Sequence, residues 1–161
     1  MPEEENMPIR KYPANQAWRS SLNHPAIVFV TVCTKGRRLL LATEAAHELL
    51  VSCWKEADLW RVGRYVILPD HIHMFVSPSG RDSPIVKAWV KYWKSQVSRR
   101  WPNAEQKPIW QRDVWDRQLR TSDSYQRKWN YVRSNPVRHE LVERECDWPF
   151  QGELNKLDWY Q

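Results

Sequence analysis

Hydrophobic residues in this chain come in short bursts whose spacing switches between a strand-like and a helix-like period. Residues 26–32 run Ala-Ile-Val-Phe-Val-Thr-Val, rich in β-branched side chains, and predict a buried strand. Thr43 then offers an N-cap, and Leu49, Leu50, Cys53, Trp54 and Ala57 recur on one stripe, predicting a helix that runs to about Asp58. A second strand is predicted over 62–69 and a third over 71–77, with Pro69-Asp70 as a tight hairpin connection. Ile85, Val86, Trp89, Val90, Trp93 and Val97 fill one helical arc, while Lys87, Lys91 and Lys94 fill another. Asp82 or Ser83 can cap that helix, Pro84 suits its first position, and it ends near Arg100 to Pro102. The run from Ile109 to Trp115 predicts a fourth strand, and 122–134 a last helix capped by Ser122 and limited by Pro136. The tail around Trp148-Pro149-Phe150 is expected to be irregular.

The resulting order, β-α-β-β-α-β-α, has as its first six elements the split βαβ of a ferredoxin-like α+β fold. In that arrangement an antiparallel sheet carries helices on one face; here an additional C-terminal helix follows. With 161 residues the chain can bury a core as a single domain without disulfides. Residues 1–24, polar and proline-rich, read as an N-terminal arm, 25–142 as the domain and 143–161 as a C-terminal tail.

Charge narrows the function classes. The formal net charge is +6, but residues 81–139 alone hold 14 basic and 5 acidic side chains, a net of +9. Such a block fits a polyanionic partner, nucleic acid ahead of an anionic membrane surface, and equally fits a solvated basic face. The 11 tryptophans add to it, because several stand among cations, as in Trp89-Val90-Lys91-Tyr92-Trp93-Lys94 and Arg127-Lys128-Trp129. Aromatic and basic residues so interleaved suit single-stranded nucleic acid, whose bases stack and whose phosphates need cations. Cys33, Cys53 and Cys146 are widely spaced, which argues for reduced thiols and against a disulfide frame or zinc ribbon. No apolar run reaches membrane-spanning length, and Met1-Pro2-Glu3-Glu4-Glu5 does not resemble a signal peptide, so a cytoplasmic protein with no membrane partner is expected.

The candidate chemistry centres on His71-Ile72-His73. In a strand, alternate side chains share a face, so both imidazoles project together while Ile72 enters the core. Two such imidazoles are part of a small metal site; the spacing alone leaves a ligand pair and a chance surface pair equally open. On the last helix Tyr131 and Asn135 are four residues apart and hence on one face, about 100° from the Tyr125, Trp129 and Val132 stripe expected against the sheet. Asn135 can offer a carbonyl oxygen to a divalent ion, or simply end a helix before Pro136. A metal on two histidines and an amide oxygen would polarise a phosphate, and a tyrosine oxygen beside it could attack phosphorus and form a covalent link.

Four blocks, in order, resemble the REP-associated tyrosine transposases of the HUH single-tyrosine superfamily. They are Val28-Phe29-Val30-Thr31 with Lys35-Gly36-Arg37; Val66-Ile67-Leu68-Pro69-Asp70-His71-Ile72-His73-Met74-Phe75-Val76; Ile109-Trp110-Gln111-Arg112 with Asp116 and Arg120; and Tyr131-Val132-Arg133-Ser134-Asn135-Pro136-Val137-Arg138. The resemblance spans nearly the whole chain. It implies a ferredoxin-like fold, Mg²⁺ or Mn²⁺, and cutting and joining of single-stranded DNA near REP-like hairpins. It further implies His71 and His73 as metal ligands with Asn135 as third ligand, and Tyr131, ahead of Tyr125 or Tyr92, as the nucleophile forming a 5′-phosphotyrosine. Lys87, Lys91, Lys94, Arg112, Arg117 and Arg120 are candidate DNA contacts. Two positions depart from the family pattern: Arg117 stands where members often have His, and Glu140 where they commonly have Gly. A catalytically silent hairpin-binding descendant is the alternative function, and both a monomer and a homodimer are compatible with the superfamily. An RNA-binding module of similar topology is disfavoured, because Phe29 and Phe75 are too few for its paired central-strand aromatics.

Overall fold

In a computed structural model the chain is described over residues 26–157; the expected N-terminal arm lies outside the described residues. The elements are β1 (Ile27–Cys33), α1 (Glu44–Glu56), β2 (Trp60–Ile67), β3 (His71–Pro78), α2 (Val86–Arg100), β4 (Trp115–Leu119), α3 (Ser122–Arg133), α4 (Asn135–Arg138) and β5 (Gln151–Glu153). One antiparallel sheet has the order β4-β1-β3-β2-β5. The fold is α+β, as expected.

Strand alternation divides the core in two. Val28, Val30, Val32, Ile72, Met74 and Val76 face α1 and α2, with Leu50, Trp54, Trp89 and Trp93 packed against them. Tryptophan dominates this layer because each indole removes a large apolar area from water; Trp54, Trp93 and Trp110 meet edge to face, at centroid distances of 5.8 Å and 5.6 Å. The opposite face carries Ile27, Phe29, Val66 and Phe75 and is covered by Val132 of α3 together with Trp148. The added helix therefore lies across the sheet from the other two.

Local signals held in several places and failed in others. The Thr43 hydroxyl accepts from Ala46 N–H and starts α1. Leu68 N–H to His71 C=O, at 2.8 Å, closes the β2–β3 hairpin at Pro69-Asp70. Ser83 does not cap α2: its hydroxyl accepts from Gly80 N–H and donates to Leu59 C=O, closing the preceding turn, and the helix starts after Ile85 without a side-chain cap. Thr121, one residue earlier than Ser122, caps α3 by accepting from Ser124 N–H. The fourth strand also falls later than expected. Trp110 makes only an isolated bridge to Thr34, and the Gln111 carbonyl is taken by the Lys94 ammonium at 2.7 Å, so pairing with β1 begins at Trp115. Nor is the tail irregular throughout. Trp148 donates its indole N–H to Ile67 C=O at 3.0 Å, and β5 pairs with the outer edge of β2.

Candidate active site

The two histidines project from β3 on the α3 side of the sheet. Thr31 and Val66 are their cross-strand neighbours at His73, and Cys33 is the neighbour at His71. Both rings are almost fully buried, with centroids 4.7 Å apart and planes nearly perpendicular. The Thr31 hydroxyl lies 2.9 Å from His73 Nδ1. Asp70 Oδ1 lies 2.6 Å from His71 Nδ1, and Asp70 Oδ2 accepts from Arg37 Nε at 2.8 Å. Burial drives the Asp70 carboxyl up, but the hydrogen bond and charge of His71, together with Arg37, outweigh it and hold the group well below the usual carboxylate range. Burial, with His71, Lys128, Arg37 and Arg138 adding positive potential, holds His73 well below the usual imidazole range, so it is neutral at pH 7.

The last helix lies over these rings. Phe75 meets Tyr125 and Trp129 at 4.8 Å and 6.1 Å, and Val132 is fully buried, as the predicted stripe requires. Tyr131 is 38% exposed, whereas Asn135 is 2% exposed. The helical path breaks at Ser134, because Pro136 has no N–H to continue the α3 ladder, and α4 restarts at Asn135. The exit of α4 then brings the His139 ring to 6.3 Å from His71. Arg138 stacks its guanidinium 3.6 Å from the Tyr131 ring centre. Tyr131 is thus joined to His73 by a short series of contacts. Lys128 Nζ lies 5.4 Å from the Tyr131 ring and 4.7 Å from the Phe29 ring, and Phe29 stacks on His73 at 5.3 Å.

The other tyrosines are placed differently. Tyr125 is half-buried against Phe75, and burial raises its pKa; Tyr92 is exposed on α2, across the sheet from the histidines.

The donor set suits a divalent ion. In each histidine Nδ1 is engaged, by a carboxylate in one ring and a hydroxyl in the other, which directs Nε2 to a metal; this is the usual support for ligating imidazoles. Imidazoles sharing an ion through bonds of about 2.1 Å have ring centres roughly 4.6 to 6.5 Å apart, and 4.7 Å falls in that interval. Among the described residues no cluster of three or more His, Cys, Asp or Glu side chains is gathered for an ion. A third protein donor of another kind, such as the amide oxygen of buried Asn135, would match the preference of Mg²⁺ or Mn²⁺ for oxygen.

The candidate DNA contacts fall in three places. Arg117 is exposed on edge strand β4, in register with Phe29 and hence on the histidine face. Arg112 and Arg120 are exposed at either end of that strand. Lys87 and Lys91 are exposed on α2, across the sheet. Lys94 is buried and occupied by the Gln111 carbonyl, so it belongs to the scaffold and not to the basic stripe. Sequence reasoning met Lys128 in an aromatic–basic run and Arg138, Thr31 and Asp70 in the family blocks, but gave none of them a role at the site. Lys128 had a local signal, three residues before Tyr131 on the same helix face. Thr31 had none, because its partnership with His73 depends on strand register.

No family model matches the chain. A Haemophilus influenzae protein carrying the name of the REP-associated tyrosine transposases is 30% identical over 164 residues, covering 88% of this chain and 92% of that protein. The REP-associated tyrosine transposase of Escherichia coli is 29% identical over 126 residues, 76% of this chain and 73% of its own. A solved structure of a REP-associated tyrosine transposase bound to a REP hairpin superposes with a TM-score of 0.71, at 23% identity, over 96% of this chain and 91% of that one; it supports the fold. By the extent of its likeness to the H. influenzae protein, the chain belongs to the REP-associated tyrosine transposase family.

Proposed function

We propose that this protein is a metal-dependent single-stranded DNA endonuclease and strand transferase, cutting beside REP-like hairpins through a covalent 5′-phosphotyrosine. The observation that carries this reading is the placing of Tyr131, on the helix that covers the sheet, one Lys128–Phe29 step from the buried His71–His73 pair. Tyr131 Oη attacks the scissile phosphorus: the Oη–P bond forms, the P–O3′ bond breaks, and the phenolic proton passes by way of water to the released 3′-hydroxyl. His71, His73 and Asn135 would hold Mg²⁺ or Mn²⁺, which when bound would supply Lewis-acid polarisation of that phosphate. Asp70 and Thr31 fix the two rings, and a neutral His73 keeps its lone pair at pH 7. Because the phosphotyrosine conserves a phosphodiester's energy, a second 3′-hydroxyl can reverse the step and join a new strand. Arg117 on the end strand β4, with exposed Arg120 just after that strand and exposed Arg112 before it, offers cations to the DNA.

The experiment is adduct capture. The full chain with labelled REP hairpin DNA bearing single-stranded flanks, and Mg²⁺ or Mn²⁺, is expected to give a denaturant-resistant protein–DNA band that Tyr131→Phe abolishes. A band that survives in Tyr131→Phe overturns the nucleophile. Tight hairpin binding with no band from the unaltered protein leaves a hairpin-binding protein that does not cut.

A further inference from the structure

We propose, resting on the reading above, that Lys128 is a catalytic residue: its ammonium holds the scissile phosphate between Tyr131 and the histidine pair. Three observations place it there. Its Nζ is 4.7 Å from the ring centre of Phe29 and 5.4 Å from that of Tyr131. Phe29 in turn lies flat against His73, with an interplanar angle of 22°. Lys128 is only partly exposed, unlike its neighbour Arg127. Its stem is therefore laid along the sheet-facing side of the helix, while its charge is carried to the gap that separates the nucleophile from the metal ligands.

A phosphate attacked by Tyr131 and polarised from the histidine side has to occupy that gap. Its non-bridging oxygens carry negative charge in the ground state and concentrate it as the fifth bond to phosphorus forms. A cation already in place, desolvated on one side by two aromatic rings, stabilises that charge without reorganising. The neighbouring Arg138 does not duplicate the role, since its guanidinium is stacked on the Tyr131 ring at 3.6 Å and donates to the Tyr131 backbone carbonyl at 3.2 Å. Arg138 orients the nucleophile; Lys128 meets the electrophile.

The test uses the full chain and REP hairpin DNA with single-stranded flanks. In single-turnover reactions Lys128→Met, which keeps the apolar stem against Phe29, is expected to slow adduct formation about 10²- to 10³-fold, with Lys128→Arg recovering part of the loss. A packing role predicts instead that Lys128→Met reacts at the normal rate, and that result overturns the proposal. The charge itself is read by binding in the Tyr131→Phe background, with single uncharged methylphosphonates stepped along the flank. Lys128→Met is expected to weaken the all-phosphodiester strand several-fold, yet to cost nothing further on the strand neutralised at one linkage, the scissile one. A penalty equal on every strand, or none on any, overturns the contact. Should the unaltered protein form no adduct while one linkage still shows the coupling, the nucleophile assignment falls and the Lys128–phosphate contact stands.

Discussion

A left-handed backbone angle on a residue with a Cβ persists only where its surroundings hold it. Two such residues occur among the described ones, Arg37 at φ 54° and Glu140 at φ 58°. Arg37 follows Gly36, itself at φ 65°, and the turn aims the guanidinium at Asp70, which braces His71. The strain there maintains the site. Glu140 closes α4 differently: its N–H donates to Val137 C=O, and among the described residues no side-chain hydrogen bond or ion pair of Glu140 offsets the angle in the way Asp70 does for Arg37. Glycine adopts the angle freely. Glu140→Gly should therefore stabilise the chain by about 0.5 to 1 kcal/mol net of glycine's greater unfolded-state entropy. Thermal melts should show a rise of roughly 1 to 4 °C. A lower melting temperature would mean that the Glu140 side chain contributes more than its backbone costs.

At the scale of elements, a half-buried imidazole and a buried one tie neighbouring elements together. His47 of α1 lies 2.8 Å from the Tyr65 hydroxyl of β2, and burial lowers its pKa; His73 of β3 is held lower still, by burial first and then by the surrounding cations. The sign follows from linkage. The unfolded chain binds protons below an imidazole pKa of about 6.5 while the folded chain refuses them, so stability is full above that pH and is lost as pH falls. Melting temperature should drop between pH 7.5 and 5.5, and His47→Gln should remove part of that drop. A flat profile would show that neither ring stays neutral in the fold. The same elements explain what was legible in the sequence. The β2–β3 hairpin, the Thr43 cap and the Val132 stripe are written in local spacing, and so was the shared face of His71 and His73. The true start of β4 was not, because Lys94 reaches over from α2 to take the Gln111 carbonyl, and β5 was missed because three residues of edge strand carry too short an alternation. The split of the last helix into α3 and α4 at Ser134 was visible only as the limit that Pro136 sets, and the restart at Asn135 was not foreseen.

For the whole molecule, the sheet is a partition. One side is sealed by tryptophans under α1 and α2; the other bears the histidines, α3 and the cations Arg37, Lys128 and Arg138 near His73. The basic block of the sequence is thereby divided, with Lys87 and Lys91 facing water on the far side and Arg117 on edge strand β4 in register with Phe29. Among the described residues no helix is long and apolar enough to cross a membrane, and β4 is the last strand of the sheet beside the cation-bearing face. If DNA reaches the histidines along that edge, phosphates meet Arg117 and not α2. Neutralising one cation that pairs with a phosphate lowers the slope of log affinity against log salt by about 1. Arg117→Gln should then reduce that slope by about 1 for REP hairpin DNA with single-stranded flanks, while the double variant Lys87→Gln, Lys91→Gln leaves it within error. Fluorescence anisotropy over a salt series measures both. A slope that falls with the α2 lysines and holds with Arg117→Gln would place the DNA on the tryptophan side, too far around the sheet for its scissile phosphate to meet Tyr131 without wrapping the molecule.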